Sequence, residues 1–176
     1  MLQALEGVAT QCVAKQDKAA TGHVWSVFLA PDQIVKAARK LYEAEYSLED
    51  VFAMDFEEGF LVHYHFNRWN VDERIVLRVL VSGDNPVVPS ITSVYQGAEW
   101  HERETRDFHG ITFEGNSNLV PLLLPVEDVD FHPLVKTDKT RKSIKDLLSL
   151  GEVVSCSREV EDLFAAEEEA GEASDA

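Results

Sequence analysis

An α+β fold is predicted, an antiparallel sheet with flanking helices followed by an extended C-terminal arm, and three features of the sequence point to it. Apolar residues alternate strictly in two neighbouring stretches, Phe60/Val62/Tyr64/Phe66 and Ile75/Leu77/Val79/Val81, the period of a sheet with one face packed and one face wetter. A preceding stretch places Ile34, Val35, Ala38, Leu41 and Tyr42 at helical spacing. Beyond residue 115, Pro121, Pro125 and Pro133 punctuate a run without any period, as expected of a chain that is extended rather than packed on itself. These features divide the chain into an α+β domain over 1–115, a partner-wrapping arm with a short helix over 116–151, and an acidic, disordered tail over 152–176.

Residues 2–16 carry Leu2, Leu5, Val8 and Val13 at the spacing of a short amphipathic helix, interrupted by Gly7 and Thr10. His23–Ala30 reads as a strand. Pro31 and Asp32 then open a helix that runs to Leu41 or Ala44, proline being suited to a first helical turn. Leu48–Phe56 reads as a further strand. The two alternating stretches are joined by the turn-like NRWNVD and form a hairpin. In SGDNPVVPS, Pro86 and Pro89 exclude a regular element, and Ser90 is placed to cap the next one. A helix is expected from Ala98 to His109, stopped by Gly110, with a small strand over Ile111–Phe113. Thr140–Leu150 reads as a last helix closed by Gly151, and the chain past Phe164 as disordered.

Composition narrows the function. The chain has 176 residues and a formal net charge of -16. Half of that charge lies in 152–176, where nine acids face the single base Arg158. Such a chain repels nucleic-acid phosphates and anionic headgroups. The two cysteines, Cys12 and Cys156, are far apart and form no C-x-x-C pair. An iron–sulfur cluster or zinc ribbon held by this chain alone is therefore not expected, and the low count suits a reducing cytoplasm. The apolar run Val120–Val126 is broken by two prolines, far short of the roughly 20 residues of a spanning helix. No basic-then-apolar leader opens the sequence.

The chemistry-bearing residues concentrate in Trp100-His-Glu-Arg-Glu-Thr-Arg-Asp-Phe-His-Gly110. On a helix Glu99, Arg103 and Asp107 share one face, and Glu102 and Arg106 form a second pair. From spacing alone this is a solvated helix whose i,i+4 ion pairs each contribute about 0.2–0.5 kcal/mol. The sharper alternative is a helix at a subunit interface, with Trp100 and Phe108 on the burying side and paired charges setting register. Glu102 and Glu104 point in different directions and make no catalytic dyad. Neither a nucleophile–base order nor a glycine-rich phosphate loop is present. His63 and His65 share a strand face; a wet face accounts for them better than a metal site, since no third ligand is signalled. His101 and His109 are two turns apart and read as contact or cap residues.

The same helix carries a family resemblance. Glu102-Arg103-Glu104-Thr-Arg-Asp107-Phe-His-Gly110 resembles the E-R-E-x-x-D-x-aromatic-G signature of the thirty-kilodalton (C) subunit of respiratory complex I, a subunit type shared with energy-converting membrane-bound nickel–iron hydrogenases and formate hydrogenlyases. Its companion elements stand in order: Val88-Pro89-Ser90 upstream, then Leu123-Leu124-Pro125-Val-Glu127-Asp128 and His132-Pro133-Leu134-Val-Lys136 downstream. The resemblance spans about residues 23–138. Two departures are His109 at the aromatic position and Asn116-Ser-Asn-Leu119-Val-Pro121 where the family often has an arginine-bearing turn.

The resemblance implies a subunit with no catalytic, cofactor or metal residues of its own. It implies packing against a large quinone-site or hydrogenase-like subunit and a small Fe–S subunit that carries the clusters, on the cytoplasmic face of the membrane. Glu102, Arg103, Glu104, Asp107, Gly110, Pro125, His132, Pro133, Leu134 and Lys136 are the motif residues expected at the interface, with Arg103 buried against the partner. The parent complex is expected to be an NADH- or other-donor:quinone oxidoreductase coupled to ion translocation, with a hydrogenase parent as the alternative. A free-standing acidic binding module is the alternative of another class.

Overall fold

The computed structural model describes residues 3–165. After a 3-10 turn at Gln3–Leu5 come β1 (Cys12–Lys15), α1 (Lys18–Thr21), β2 (Trp25–Leu29), α2 (Ile34–Glu43), β3 (Tyr46–Phe56), β4 (Gly59–Arg68) and β5 (Glu73–Val81). They are followed by β6 (Val87–Pro89), α3 (Ala98–His109), β7 (Thr112–Glu114), α4 (Ile144–Leu147), β8 (Glu152–Cys156) and α5 (Arg158–Phe164). Six strands form one sheet in the order β3-β4-β5-β2-β1-β8. It is antiparallel except where β2 meets β5 in parallel, Trp25 opposite Ile75 and Leu29 opposite Val79. A two-stranded ribbon of β6 and β7 stands beside it. The α+β class, the helix over 34–43, the β4–β5 hairpin and the helix stopped at Gly110 are as expected.

The main core lies on the face that α2 and α3 cover. Ile34, Ala37, Ala38 and Leu41 of α2 are buried there against Val62, Tyr64 and Phe66 of β4 and Ile75, Leu77 and Val79 of β5. Tyr42, at the margin of the α2 stripe, is exposed. Each large apolar side chain sequestered in this way contributes about 1.5–3 kcal/mol.

The other face is not the wet face that the alternation suggests. Leu61, His63, Val76 and Arg78 are buried, and the C-terminal segment returns to cover the part of this face around Leu61. Ile144 and Val160 join Cys12, Phe28, Phe56 and Leu61 in a second apolar cluster. Local alternation records the polarity of β4 but is silent about a segment eighty residues away.

Five further expectations are corrected. The N-terminal helix over 2–16 is replaced within the described residues by the 3-10 turn and β1, whose pairing with β2 outweighs a weak helical pattern broken at Gly7; Leu2 lies outside the described residues. Val87–Pro89 is a strand despite its proline, since an edge position tolerates the missing N–H. The last helix shrinks to Ile144–Leu147, and Gly151, with φ +74°, turns the chain into β8 close to the Lys15 carbonyl. The acidic segment 152–164 is ordered as β8 and α5, anchored by Val160, Leu163 and Phe164 beneath its charges; the rest of the expected tail, from 166, lies outside the described residues. Cys12 and Cys156 stand opposite each other across β1 and β8 and form a disulfide, where the low cysteine count had suggested a reducing cytoplasm.

Candidate functional site

α3 lies over β3, the edge strand of the sheet. Thr105 Oγ1 donates to the Val51 carbonyl at 3.3 Å, and Tyr95 Oη donates to the Tyr46 carbonyl at 2.8 Å from the turn that leads into the helix. Gly110, left-handed at φ +74°, returns its N–H to the Arg106 carbonyl and ends it. The buried side of α3 is formed by Ala98, Glu102, Thr105, Asp107 and His109, while Trp100 is 65% exposed. The expected polarity is therefore reversed: two carboxylates are inside and the tryptophan is outside. A buried carboxylate is tolerable only where hydrogen-bond donors surround it, and the chain supplies them from loops distant in sequence.

Glu102 gathers the loop after β6 and the turn after β7. Its Oε2 accepts from Ser90 Oγ at 2.7 Å and Asn116 Nδ2 at 2.8 Å, and its Oε1 accepts from the Ile91 N–H at 2.9 Å. Burial pushes the Glu102 carboxyl above its ordinary value, with these three bonds working in the opposite sense. The predicted Glu102–Arg106 pair is absent among the described residues. Ser90 accepts from the Thr92 N–H and ties its loop to Glu102 rather than capping α3.

Asp107 gathers the arm. One oxygen, Oδ2, accepts from the backbone N–H groups of Leu122 and Leu123 at 2.8 Å and of Leu124 at 3.2 Å. Burial alone would raise its pKa, but the bonds from Leu123, Leu122 and Leu124 outweigh that and hold the carboxyl below the usual range. One turn earlier, Arg103 donates from Nε to the Val120 carbonyl and from Nη2 to the Pro121 carbonyl, both at 2.9 Å. Glu99 lies 3.7 Å from Arg103 and accepts from Asn118 Nδ2 at 2.6 Å. The common face of Glu99, Arg103 and Asp107 is real, but these side chains grip residues 118–124. Arg103 binds this chain's own arm.

A second set of contacts holds the arm further along. The His132 ring donates from Nδ1 to the Asp107 carbonyl at 2.9 Å, and the Leu134 N–H donates to the Phe108 carbonyl at 3.1 Å. Asp55, at the end of β3, then accepts from the Lys136 N–H at 2.7 Å and from Arg141 Nε at 3.0 Å. Glu58 caps the start of α4, accepting from Ser143 Oγ and the Ile144 N–H. Asp55 and Glu58 escaped notice in the sequence, and Asn116 was noted only as a departure from the family pattern. The one available signal was Asp55, an acid amid the apolar residues at the end of β3.

The motif residues thus divide. Glu102, Arg103, Asp107, Gly110, His132 and Lys136 bind or abut other parts of the chain, and Leu134 does so through its backbone. Glu104, Pro125 and Pro133 are not buried. Between its anchors the arm presents Leu123, Val126, Phe131 and the Leu134 side chain to solvent, with Val126 73% and Phe131 60% exposed. His101 bonds Asp50 at 3.0 Å and His109 packs edge-on against Phe60, so both are contact residues. His63 is buried and stacked on Phe52, and no cluster of three or more potential metal ligands exists among the described residues. The tethered carboxylates of α3 are engaged by backbone and side-chain donors, an arrangement that holds chain segments in place.

With this geometry in hand, the comparisons with known proteins are specific. Residues 27–143 match the family described as "Respiratory-chain NADH dehydrogenase, 30 Kd subunit". The C subunit of the NADH-quinone oxidoreductase of Roseiflexus sp. (strain RS-1) is 42% identical over 118 residues, 63% of this chain and 67% of that one. Its counterpart in Roseiflexus castenholzii is 43% identical over 118 residues, with the same coverage of 63% and 67%. A chain of the membrane-bound sulfane sulfur reductase, an archaeal respiratory membrane complex, superposes with a TM-score of 0.65 over 82% of this chain and 85% of that one, at 20% identity. At that identity the likeness is one of fold.

Proposed function

Because the chain belongs to the family of the 30 kDa subunit of respiratory-chain NADH dehydrogenase, we propose that it is a non-catalytic subunit of a membrane-attached NADH-quinone oxidoreductase. Its work is to dock the large quinone-site subunit and the small Fe–S subunit through its arm, keeping them in register for electron transfer. The observation that carries this reading is the state of the arm. Residues 118–136 are tied to α3 and β3 by buried carboxylates, yet Leu123, Val126, Phe131 and Leu134 remain uncovered. Rigidly presented apolar side chains on an ordered backbone suit an interface, because little entropy is left to lose on docking.

The relatives at 42–43% identity bear the quinone-oxidoreductase name, which favours that parent over a hydrogenase. The chain brings no cofactor, and the clusters belong to its partners. No helix among the described residues is long and apolar enough to cross a membrane, which suits a peripheral position on the cytoplasmic side. The test is extraction of membranes from the native organism in a gentle detergent, followed by native electrophoresis. The chain is expected to migrate with the band that oxidises NADH with a quinone. Recovery of all of it in the soluble fraction, apart from that band, would overturn the proposal.

A further inference from the structure

The face of the sheet away from α2 and α3 carries a polar cluster that takes no part in holding the arm. Phe52, His63, Arg78 and Phe28 are successive cross-strand neighbours in one row over β3, β4, β5 and β2. The rings of Phe52 and His63 stack at 4.9 Å, and the Arg78 guanidinium lies 5.6 Å from the centroid of Phe28. His65 stands 6.4 Å from His63 and 6.5 Å from His23, centroid to centroid. His23, His63 and Arg78 are each more than nine-tenths buried.

The hydrogen bonding of this cluster is incomplete. Arg78 Nη1 donates to Ser26 Oγ at 2.7 Å, but Arg78 Nε, His63 Nε2 and His23 Nε2 have no hydrogen-bond partner among the described residues. Arg78 forms no ion pair among the described residues. The nearby acids are engaged elsewhere, Glu49 by Arg74 and Asp50 by His101. Burial lowers Arg78 only to about 10, so it stays cationic at neutral pH. A charge withdrawn from water requires a counter-charge. A cation is the wrong occupant beside a guanidinium, and water would satisfy the nitrogens without balancing the charge.

We propose that Arg78, His63 and His23 hold one small monovalent anion of the halide class between their unpartnered nitrogens. The Thr21 carbonyl, 3.1 Å from His23 Nδ1, can only accept, so Nδ1 carries the proton of the neutral ring and Nε2 carries its lone pair. An anion at Nε2 therefore demands a second proton, and the two are taken up together. The groups that bear on His23 are His63 and His65 from β4 and Arg74 and Arg78 from β5, which oppose that proton, and the Thr21 carbonyl, which favours it; Glu49 and Asp50 from β3 bear on His65 instead. The anion itself favours the proton. Affinity for the anion then rises as pH falls, by at most about tenfold per pH unit for one linked proton.

Bromide is the probe. Crystals of the full chain soaked in sodium bromide are expected to give an anomalous peak within hydrogen-bonding reach of Arg78 Nε and His63 Nε2. In solution, the melting midpoint should be higher in sodium chloride than in sodium gluconate at equal ionic strength. Burial lowers His23 to about 4 in the anion-free chain, so that difference should go on widening as pH falls from about 8 toward about 5, and disappear in Arg78→Met. Arg78→Lys, which keeps the charge but loses the planar fork, should shrink it. If Arg78→Met does not fold, the bromide peak in the unmodified chain decides. Bromide-free density at the cluster, or equal midpoints in the two salts across the pH range, overturns the proposal whatever the parent complex.

Discussion

The imidazole of His132 lies against Gly110 so closely that a Cβ on residue 110 would stand 2.8 Å from the ring. Gly110 also needs φ +74° to end α3, so two demands meet on one residue. Gly110→Ala should destabilise the isolated chain by about 1–3 kcal/mol, from left-handed strain and displacement of the ring. Adding His132→Ala should relieve part of that cost, giving a coupling of about 0.5–3 kcal/mol in a double-mutant cycle read by urea unfolding. Additive costs would mean that the ring and the glycine are independent.

The two buried carboxylates of α3 should give opposite pH signatures. Asp107 is held below its ordinary value of 3.8, so its contribution is complete above that value and is lost as pH falls through the lower folded-state value. Glu102 is raised above 4.5, so its contribution is complete below 4.5 and declines as pH rises through the higher folded-state value. Protection of the Leu122–Leu124 amides, taken relative to intrinsic exchange at each pH, should fall on acidification in the unmodified chain and be low at every pH in Asp107→Asn. Glu102→Gln should flatten the fall in unfolding free energy above about pH 4.5, with the ionisable acid replaced. A profile unchanged by either substitution would contradict these assignments.

Arg103 should matter to the lone chain. Arg103→Ala removes two charge-assisted bonds to the Val120 and Pro121 carbonyls. The expected loss is about 1–3 kcal/mol of local opening free energy, or roughly 10–100-fold faster exchange over residues 118–124. Protection equal to the unmodified chain, with failure only on assembly, would mean that Arg103 acts at the interface and not within the lone chain.

The C-terminal clasp should be separable from the chain beyond it. Truncation after Phe164 keeps the apolar anchors of α5 and should leave the melting midpoint unchanged. Truncation after Leu150 uncovers Phe28, Phe56 and Leu61 and removes the Cys12–Cys156 bond. Burial and cross-linking of that kind contribute about 2–5 kcal/mol, so a fall of many degrees is expected. Equal midpoints for the two truncations would mean that β8 and α5 add nothing to the fold.

Much of this architecture was legible in the sequence, and the reason differs from place to place. The α2 stripe, each strand of the β4–β5 hairpin and the stop at Gly110 show their pattern within about a dozen residues, the range over which periodicity carries information. The Glu-Arg-Glu segment could be located, and the shared face of Glu99, Arg103 and Asp107 followed from helix geometry. Its polarity was misjudged because a buried carboxylate is satisfied by donors that no local pattern reveals: Ser90 and Asn116 for Glu102, and three leucine amides for Asp107. The return of 142–164 over the sheet, with Val160 and Phe164 under a run of acids, was hidden in the same way. Acidic composition suggested solvation, while three spaced apolar residues determined the packing.

The most direct test of arm docking uses substitutions that leave every anchor in place. Val126→Asp and Phe131→Asp, singly and together, alter exposed side chains that support no buried contact. They should leave the melt of the lone chain within about 0.5 kcal/mol of the original. Co-expression with the large quinone-site and small Fe–S subunits of the same organism, followed by affinity capture through this chain, measures docking. The expected result is normal folding with recovery of the large subunit reduced at least about tenfold, or ~1.4 kcal/mol. Full recovery of both partners by the doubly substituted, folded chain would contradict a docking role for the arm.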